Sequence, residues 1–503
     1  MGNTYPRSVN DIEKHLTNIS TRIFGNRFMP DQTLYEYLIE FLLVFVSPKD
    51  DDKITGRMQF HANANGYLQY WIEPRMGLRR FVFYDKSKKN NTVKVDEKAY
   101  KELQEILNKK NINQEVIDGI QDLLHGYAVV IKKRSWCAQS LLPLCPEMVF
   151  CDAMPNEKYR KTLDWPTNSN YDEIDTKFDF NKRNFLARGG EVYYLHLLQA
   201  LEKEVDKKNK LERLLMMLMK ENSKLSSICN LIQSSWEASL ELTKESLYER
   251  MSLSFIPEEA YLECGKFSVD ELINFLSNEL PSINKIEILA KGVMFQILRM
   301  LSWRVDNYLQ INRKSWIVDM KGNSADTVKK IAAKNYRNIE EGFITALNKS
   351  AREISVLEND YMKKIAKARQ SSIDLFRLKG KELQCIIPIN GPFERFSLSE
   401  DIIKFLVLAL IPPKEKVTLN TFLGRMYEHY GIVIGPKEYR KSINDIDPKE
   451  SRKSTNYIEH SLTNAFVENL NAFQAFLTAA GFLKELSDAT SIVINPYKNI
   501  LEE

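Results

Sequence analysis

Side chains able to break bonds are sparse in this chain, and they do not fall into a complete set. The six histidines, His15, His61, His125, His196, His429 and His460, are scattered. His196 follows Glu191 by five positions, whereas two ligands on one helical face sit three or four apart. Cys137, Cys145 and Cys151 are spaced by eight and six with no His among them, unlike the close pairs of a zinc site, and they read as small buried thiols. Glu173 to Lys177 (EIDTK) comes nearest to the clustered acids and following Lys of a nuclease. It sits in a polar connector rather than on a strand, so it lacks the setting that metal-dependent phosphodiester cleavage requires. No metal, no cofactor and no catalytic residue is therefore expected.

The anion-binding candidates are clearer. Arg188-Gly189-Gly190-Glu191 precedes a helix, and the first amides of a helix point outward without partners. Arg183, Arg188, Gly189 and Gly190 can thus form an anion site, although two glycines before a helix also make a plain turn, and neither GxxxxGK[ST] nor GxGxxG is present. Two basic groups suit a phosphate backbone. The first is Lys363, Lys364, Lys367 and Arg369, continued by Lys379 and Lys381; the second is Arg425, Lys437, Arg440, Lys441, Lys449, Arg452 and Lys453. Acids Glu438, Asp445, Asp447 and Glu450 dilute the second group, and Lys or Arg on a helix is commonly a solvated face.

The elements that must position these groups are mostly helices. Apolar residues at three-to-four spacing predict helices over Ser8–Phe24, Asp31–Phe45, Tyr100–Leu107, Gln114–Leu124 and Ser282–Ile311. A long helical pattern runs from Ser324 and Asp326 to about Leu378, where Gly380 is expected to stop it. Gly66–Tyr84 has the composition of a hairpin, with aromatic strands around Pro74-Arg75-Met76-Gly77, and Lys86–Asn91 reads as a solvated loop. Arg134–Met154 should be a short helix and then a buried extended crossing, since Pro143 and Pro146 disfavour helix before them. A leucine stripe from Leu195 to Leu225 is predicted to break at Asp206–Lys210.

The last hundred residues read as a winged helix. Ser397–Glu400 forms a capping box for a helix to Leu410, Lys416–Leu419 a short strand, and Asn420–Tyr430 a helix capped by Asn420. Tyr457–Ala480 is a further helix, and Phe482–Leu486 with Ser491–Ile494 a terminal hairpin. Pro436–Asn456 is a polar insertion.

At 503 residues the chain exceeds one core of ordinary size. The expected division is an N-terminal α+β domain with hairpin over 1–151, a polar connector over 152–182, a central helical domain over 183–382 and a winged-helix-like domain over 395–503. The fold class is mainly α with small β elements. A net charge of +4 excludes general affinity for polyanions, so any nucleic-acid contact must be local. Six cysteines make no secreted disulfide framework. The N-terminal MGNTYPRSVNDIEKH lacks a signal-peptide core and fits myristoylation poorly, and Leu38–Val46 is too short to span a bilayer. A cytoplasmic protein without membrane contact is expected.

The strings RSWCAQSLLPLCPEMVFC and RNFLARGGEVYYLHLL resemble segments of accessory proteins encoded in bacterial multi-gene anti-phage defence and DNA restriction islands, beside ATPases, methyltransferases or nucleases. The likeness covers roughly Arg134 to Leu198 and carries over no catalytic residue. It implies a setting: a subunit of a defence complex whose partners include an ATPase. With the missing catalytic set, the expected role is a non-enzymatic scaffold that touches DNA through its C-terminal winged-helix-like part. The alternative is a metal-dependent nuclease or nucleotide-binding enzyme using Arg188–Glu191.

Overall fold

The computed structural model describes residues 4–6, 18–26, 28–49, 56–61, 69–73, 75, 77–78, 81–82, 94–129, 138–150, 152–153, 189–239, 249–252, 256–258, 260–322, 326–354, 358–446, 456–485 and 491–501. The protein is mainly helical, with small sheets of two or three strands. Among the described residues no helix is long and apolar enough to cross a membrane.

Ile19–Phe24 (α1) starts where the Asn18 side chain accepts the amides of Ser20 and Thr21. Leu34–Val46 (α2) is buried nearly all round, as its unbroken apolar interior requires. Gln69–Ile72 (β1) is followed by helical turns at Gly77–Leu78 and Phe81–Val82. Among the described residues the expected second strand of a hairpin is helical instead. Leu78, Phe81 and Val82 are buried at helical spacing, and β1 pairs instead with a strand far along the chain. Lys94–Lys109 (α3) and Gln114–His125 (α4) follow, the second capped by Asn113. Within the Pro-rich stretch, Ala138–Gln139 is extended and Pro146–Met148 forms a single 3-10 turn, so no helix precedes the buried crossing among its described residues. The expected loop Lys86–Asn91 lies outside the described residues, as does all of the connector but Asp152–Ala153.

Gly189–Leu201 (α5) and Val205–Lys220 (α6) are separated at residues 202–204, not at Asp206–Lys210. The polar run DKKNK occupies the first turns of α6, where it is solvated. Ser223–Ser239 (α7) leads to Glu249–Ser252 (β2), the antiparallel partner of β1, with Tyr70 opposite Met251. Leu262–Leu276 (α8) and Ser282–Leu309 (α9) are long core helices, the second ended by Gln310 in the left-handed region. Trp316–Ile317 (β3) precedes Asp326–Glu353 (α10) and Glu358–Arg369 (α11). A π turn over Gln370–Asp374 joins α11 to Leu375–Glu382 (α12). Gly380 does not stop this helix but lies inside it. A Cβ there would run into the Ile386 side chain, so glycine serves a close crossing with the strand that follows.

Glu400–Leu410 (α13), Lys416–Thr418 (β4), Leu419–Tyr430 (α14), Ile432–Val433 (β5), Pro436–Ile446 (α15), Asn456–Ala479 (α16), Leu483–Glu485 (β6) and Ser491–Ile494 (β7) complete the chain. Two caps differ from expectation. Ser399 makes no side-chain cap for α13, because its hydroxyl donates to Leu383 O at 2.8 Å, and α14 is capped by Thr418 rather than Asn420. The sheet β4–β7–β6 is antiparallel, with β7 in the middle. Helix, strand, helix, helix and hairpin, with the last strand inserted between the other two, is a winged-helix-like arrangement in which α15 is an added helix.

The chain divides into two compact units built from non-contiguous segments. One comprises Met1–Leu34, Leu195–Leu214 and Ser254–Glu503; the other comprises Tyr35–Tyr194 and Leu215–Leu253. In the smaller, Phe41, Phe45, Phe60, Tyr193 and Tyr194 form an aromatic core between α2 and the start of α5. In the larger, α8, α9 and α13 pack together. Trp316 stacks on Phe396, Phe376 meets both rings edge-on, and Phe295 of α9 packs against Trp316. The winged-helix-like elements belong to this unit: β3 pairs in parallel with β5, and Asn469 of α16 bonds Met320 N, Val318 O and Ile434 O.

Candidate functional site

In a helix-turn-helix reader the helix entering the groove carries the base contacts. The corresponding helix here is α16, and Asn456–Ala479 contains no Lys or Arg. Its solvent face includes Asn464, Val467, Glu468, Asn471 and Phe476, with Glu468 paired to Lys321 at 2.6 Å. This face offers no charge for phosphate.

Cations gather instead on the added helix α15. Lys437, Arg440 and Lys441 are exposed at spacings that share one side, while Glu438 is buried and its pKa is raised by burial. Of the four acids that dilute this patch in sequence, Glu438 therefore faces inward, and the side chains of Asp445, Asp447 and Glu450 lie outside the described ones. Arg440 Nη2 donates to Thr463 Oγ1 at 3.2 Å, and Lys441 Nζ lies 4.8 Å from the Tyr427 ring centroid, so two of the three are held in place. Arg425 is half-buried and donates to Leu410 O at 2.5 Å, a tie within the fold rather than a free charge. Lys449, Arg452 and Lys453 lie outside the described residues.

The basic group between Lys363 and Lys381 divides in two. Lys363, Lys364, Lys367 and Arg369 are exposed on α11, with Lys364 at 4.0 Å from Asp360. Lys379 and Lys381 are instead taken up by Glu382 at 2.6 Å and Glu394 at 2.5 Å.

At the Gly pair, Arg183 and Arg188 lie outside the described residues. The amide of Gly190 donates to Glu40 Oε2 at 2.7 Å, so a buried carboxylate of α2 occupies the position that an external anion would take. A Cβ on Gly190 would run into Glu40 Cβ and Tyr37 O, which makes this glycine a contact between two helices. Glu191 is buried and accepts from the Tyr70 hydroxyl.

The most concentrated polar chemistry of the larger unit is a set no sequence pattern marked. Glu271 of α8 accepts from Gln296 Nε2 and Arg299 Nη1, each at 2.6 Å, and from Tyr430 OH at 2.5 Å; His429 Nδ1 stands 2.8 Å away. Arg299 Nη2 donates to Ser268 Oγ at 2.6 Å, and Ser268 Oγ lies 3.0 Å from His196 Nε2. Burial pushes the Glu271 carboxyl up, but Arg299 and His429 outweigh it and hold its pKa below the usual range. Glu271 and Arg299 have 0% side-chain exposure, so no substrate reaches them and the set works as a cross-brace between helices.

The smaller unit contains a cavity of about 520 Å³. Its wall draws on described residues between Leu43 and Arg75, the turn at Pro146–Val149, and the junction of α6 and α7. Leu43, Val46, Met58, Trp71 and Met219 give it an apolar side; Arg57, Arg75, Lys220, Glu73, Glu147 and the serines of the wall give it a polar one. Burial raises the pKa of Glu73 against the pull of Arg75, whose Nη1 is 2.8 Å from its Oε1. Glu147 is only 8% exposed; its Oε1 accepts from Asn230 Nδ2 at 2.9 Å, and its buried Oε2 accepts from no described residue. Met58 and Arg75 hold positive φ angles of 53° and 47°, a strained conformation for such residues. Among the described residues no group of three or more His, Cys, Asp or Glu is placed to hold a metal ion.

In comparison with known proteins, no family model, no curated protein and no solved structure matches the chain.

Proposed function

We propose that this protein is a non-catalytic, mostly helical subunit of a bacterial anti-phage defence complex, which holds DNA against partner subunits, an ATPase among them. The setting rests on the resemblance of the segments within Arg134–Leu198. The DNA role rests on the winged-helix-like arrangement and on Lys437, Arg440 and Lys441, which are exposed on one side of α15 while Glu438 between them turns inward. Because α16 carries no cation, this contact is to the phosphate backbone and is tolerant of sequence.

Binding of a mixed-sequence duplex by the full chain should weaken as salt rises from about 50 to 200 mM. Replacing Lys437, Arg440 and Lys441 together by Ala should lower the slope of log affinity against log salt by about 0.9 for each phosphate no longer neutralised. An unchanged slope and affinity in that variant would remove the DNA role. The enzyme reading built on Arg188–Glu191 gains no support from the Gly190 amide and Glu191, both engaged inside the fold. Plasmid cleavage with Mg²⁺ or Mn²⁺ that is lost in Glu191→Gln would reverse the ranking.

A further inference from the structure

The cavity of the smaller unit carries an inference that does not depend on the DNA reading, since none of its residues belongs to the larger unit. A buried carboxylate oxygen left without a donor is costly, and is tolerated where a ligand supplies the missing hydrogen bond. Glu147 Oε2 meets that description on the wall of a cavity large enough for a small organic ligand. The rest of the wall narrows the class. An aromatic ring and two thioethers, Trp71, Met58 and Met219, suit a flat polarisable body. Lys220 and Arg57 suit an anionic tail.

We propose that this cavity binds a nucleotide whose base carries an exocyclic amino group, with the amino N–H donated to Glu147 Oε2, the base against Trp71, and the phosphate toward Lys220 and Arg57. Glu73 and Arg75, bonded to one another, line the same wall. Their fixed pairing leaves Glu147 as the carboxylate that reads the base.

The test is titration calorimetry of the full chain with AMP, GMP and CMP, and with IMP, UMP and inorganic phosphate for comparison. At least one amino-bearing nucleotide should bind about tenfold or more tightly than IMP and UMP, about 1.4 kcal/mol. Glu147→Gln should erase that preference: Asn230 donates to one side of the group and so turns the new amide N–H toward the cavity, where it opposes the amino group. Lys220 is exposed, so Lys220→Met should leave the fold intact, weaken the nucleotide and spare the matching nucleoside. The proposal fails if no nucleotide binds, if binding ignores the amino group, or if only inorganic phosphate binds. Should Glu147→Gln not fold, the AMP against IMP comparison and Lys220→Met decide alone.

Discussion

The guanidinium of Arg299 meets the carboxylate of Glu271 at 2.6 Å with neither side chain exposed. Removing one member of such a pair leaves a buried charge without its counterion, which costs about 3–5 kcal/mol. Arg299→Met should therefore lower the stability of the full chain by about that amount in urea unfolding. A double variant, Glu271→Leu with Arg299→Met, should lose less than the sum of the two single variants. Additive losses would show that the two residues act independently.

The same carboxyl sets an acid limit. Its pKa is lowered on folding, so its contribution is complete above the unfolded value of about 4.3 and is lost as pH falls through the lower folded value. Denaturation midpoints should be flat in this contribution at neutral pH and drop below about pH 4. In Glu271→Gln that part of the acid drop should disappear.

Asp306 carries the opposite sign. Burial raises its pKa to about 6, although its carboxylate accepts the Lys314 amide at 2.8 Å. The folded form thus holds the proton more tightly than the unfolded one. Stability from this group is greatest below about pH 4 and is lost as pH rises through about 6, by on the order of 3 kcal/mol in all. Asp306→Asn keeps an oxygen for the Lys314 amide and cannot ionise. Its stability relative to the parent should improve between pH 4 and pH 7, and a constant difference would refute the assignment.

Two glycines in helices should respond in opposite directions. At Gly190 an added Cβ would strike Glu40 and Tyr37, so Gly190→Ala should destabilise by about 1–3 kcal/mol. At Gly119 in α4 nothing lies within 4 Å, so Gly119→Ala should stabilise by roughly 0.5–1 kcal/mol. Thermal unfolding of the two variants checks both; a destabilised Gly119→Ala would contradict the open space around it.

What the sequence discloses and what it hides follows contact distance along the chain. Helices α9, α13 and α16 and the terminal hairpin are legible, because their apolar spacing and turns lie within a few neighbouring residues. The partner of β1 begins at Glu249, and no local rule points from Trp71 to Arg250. The Gly pair invites an anion reading because the carboxylate that fills it, on Glu40, comes 150 residues earlier. The cavity wall gathers side chains from three separated stretches, none bearing a motif of its own. The basic groups could be found, but which charges stay exposed could not: Glu438 turns inward and Lys379 and Lys381 find acids only once the chain is folded.

Asn469 gives the last quarter of the chain an unexpected dependency. Its amide closes hydrogen bonds to Met320, Val318 and Ile434, while Trp316 and Val318 donate to Gly431 and Val433. A stretch cut at residue 395 would part these donors from their acceptors. The winged-helix-like portion is consequently not a portable cassette: any graft, or any exchange by recombination, would have to carry Trp316–Met320 with it.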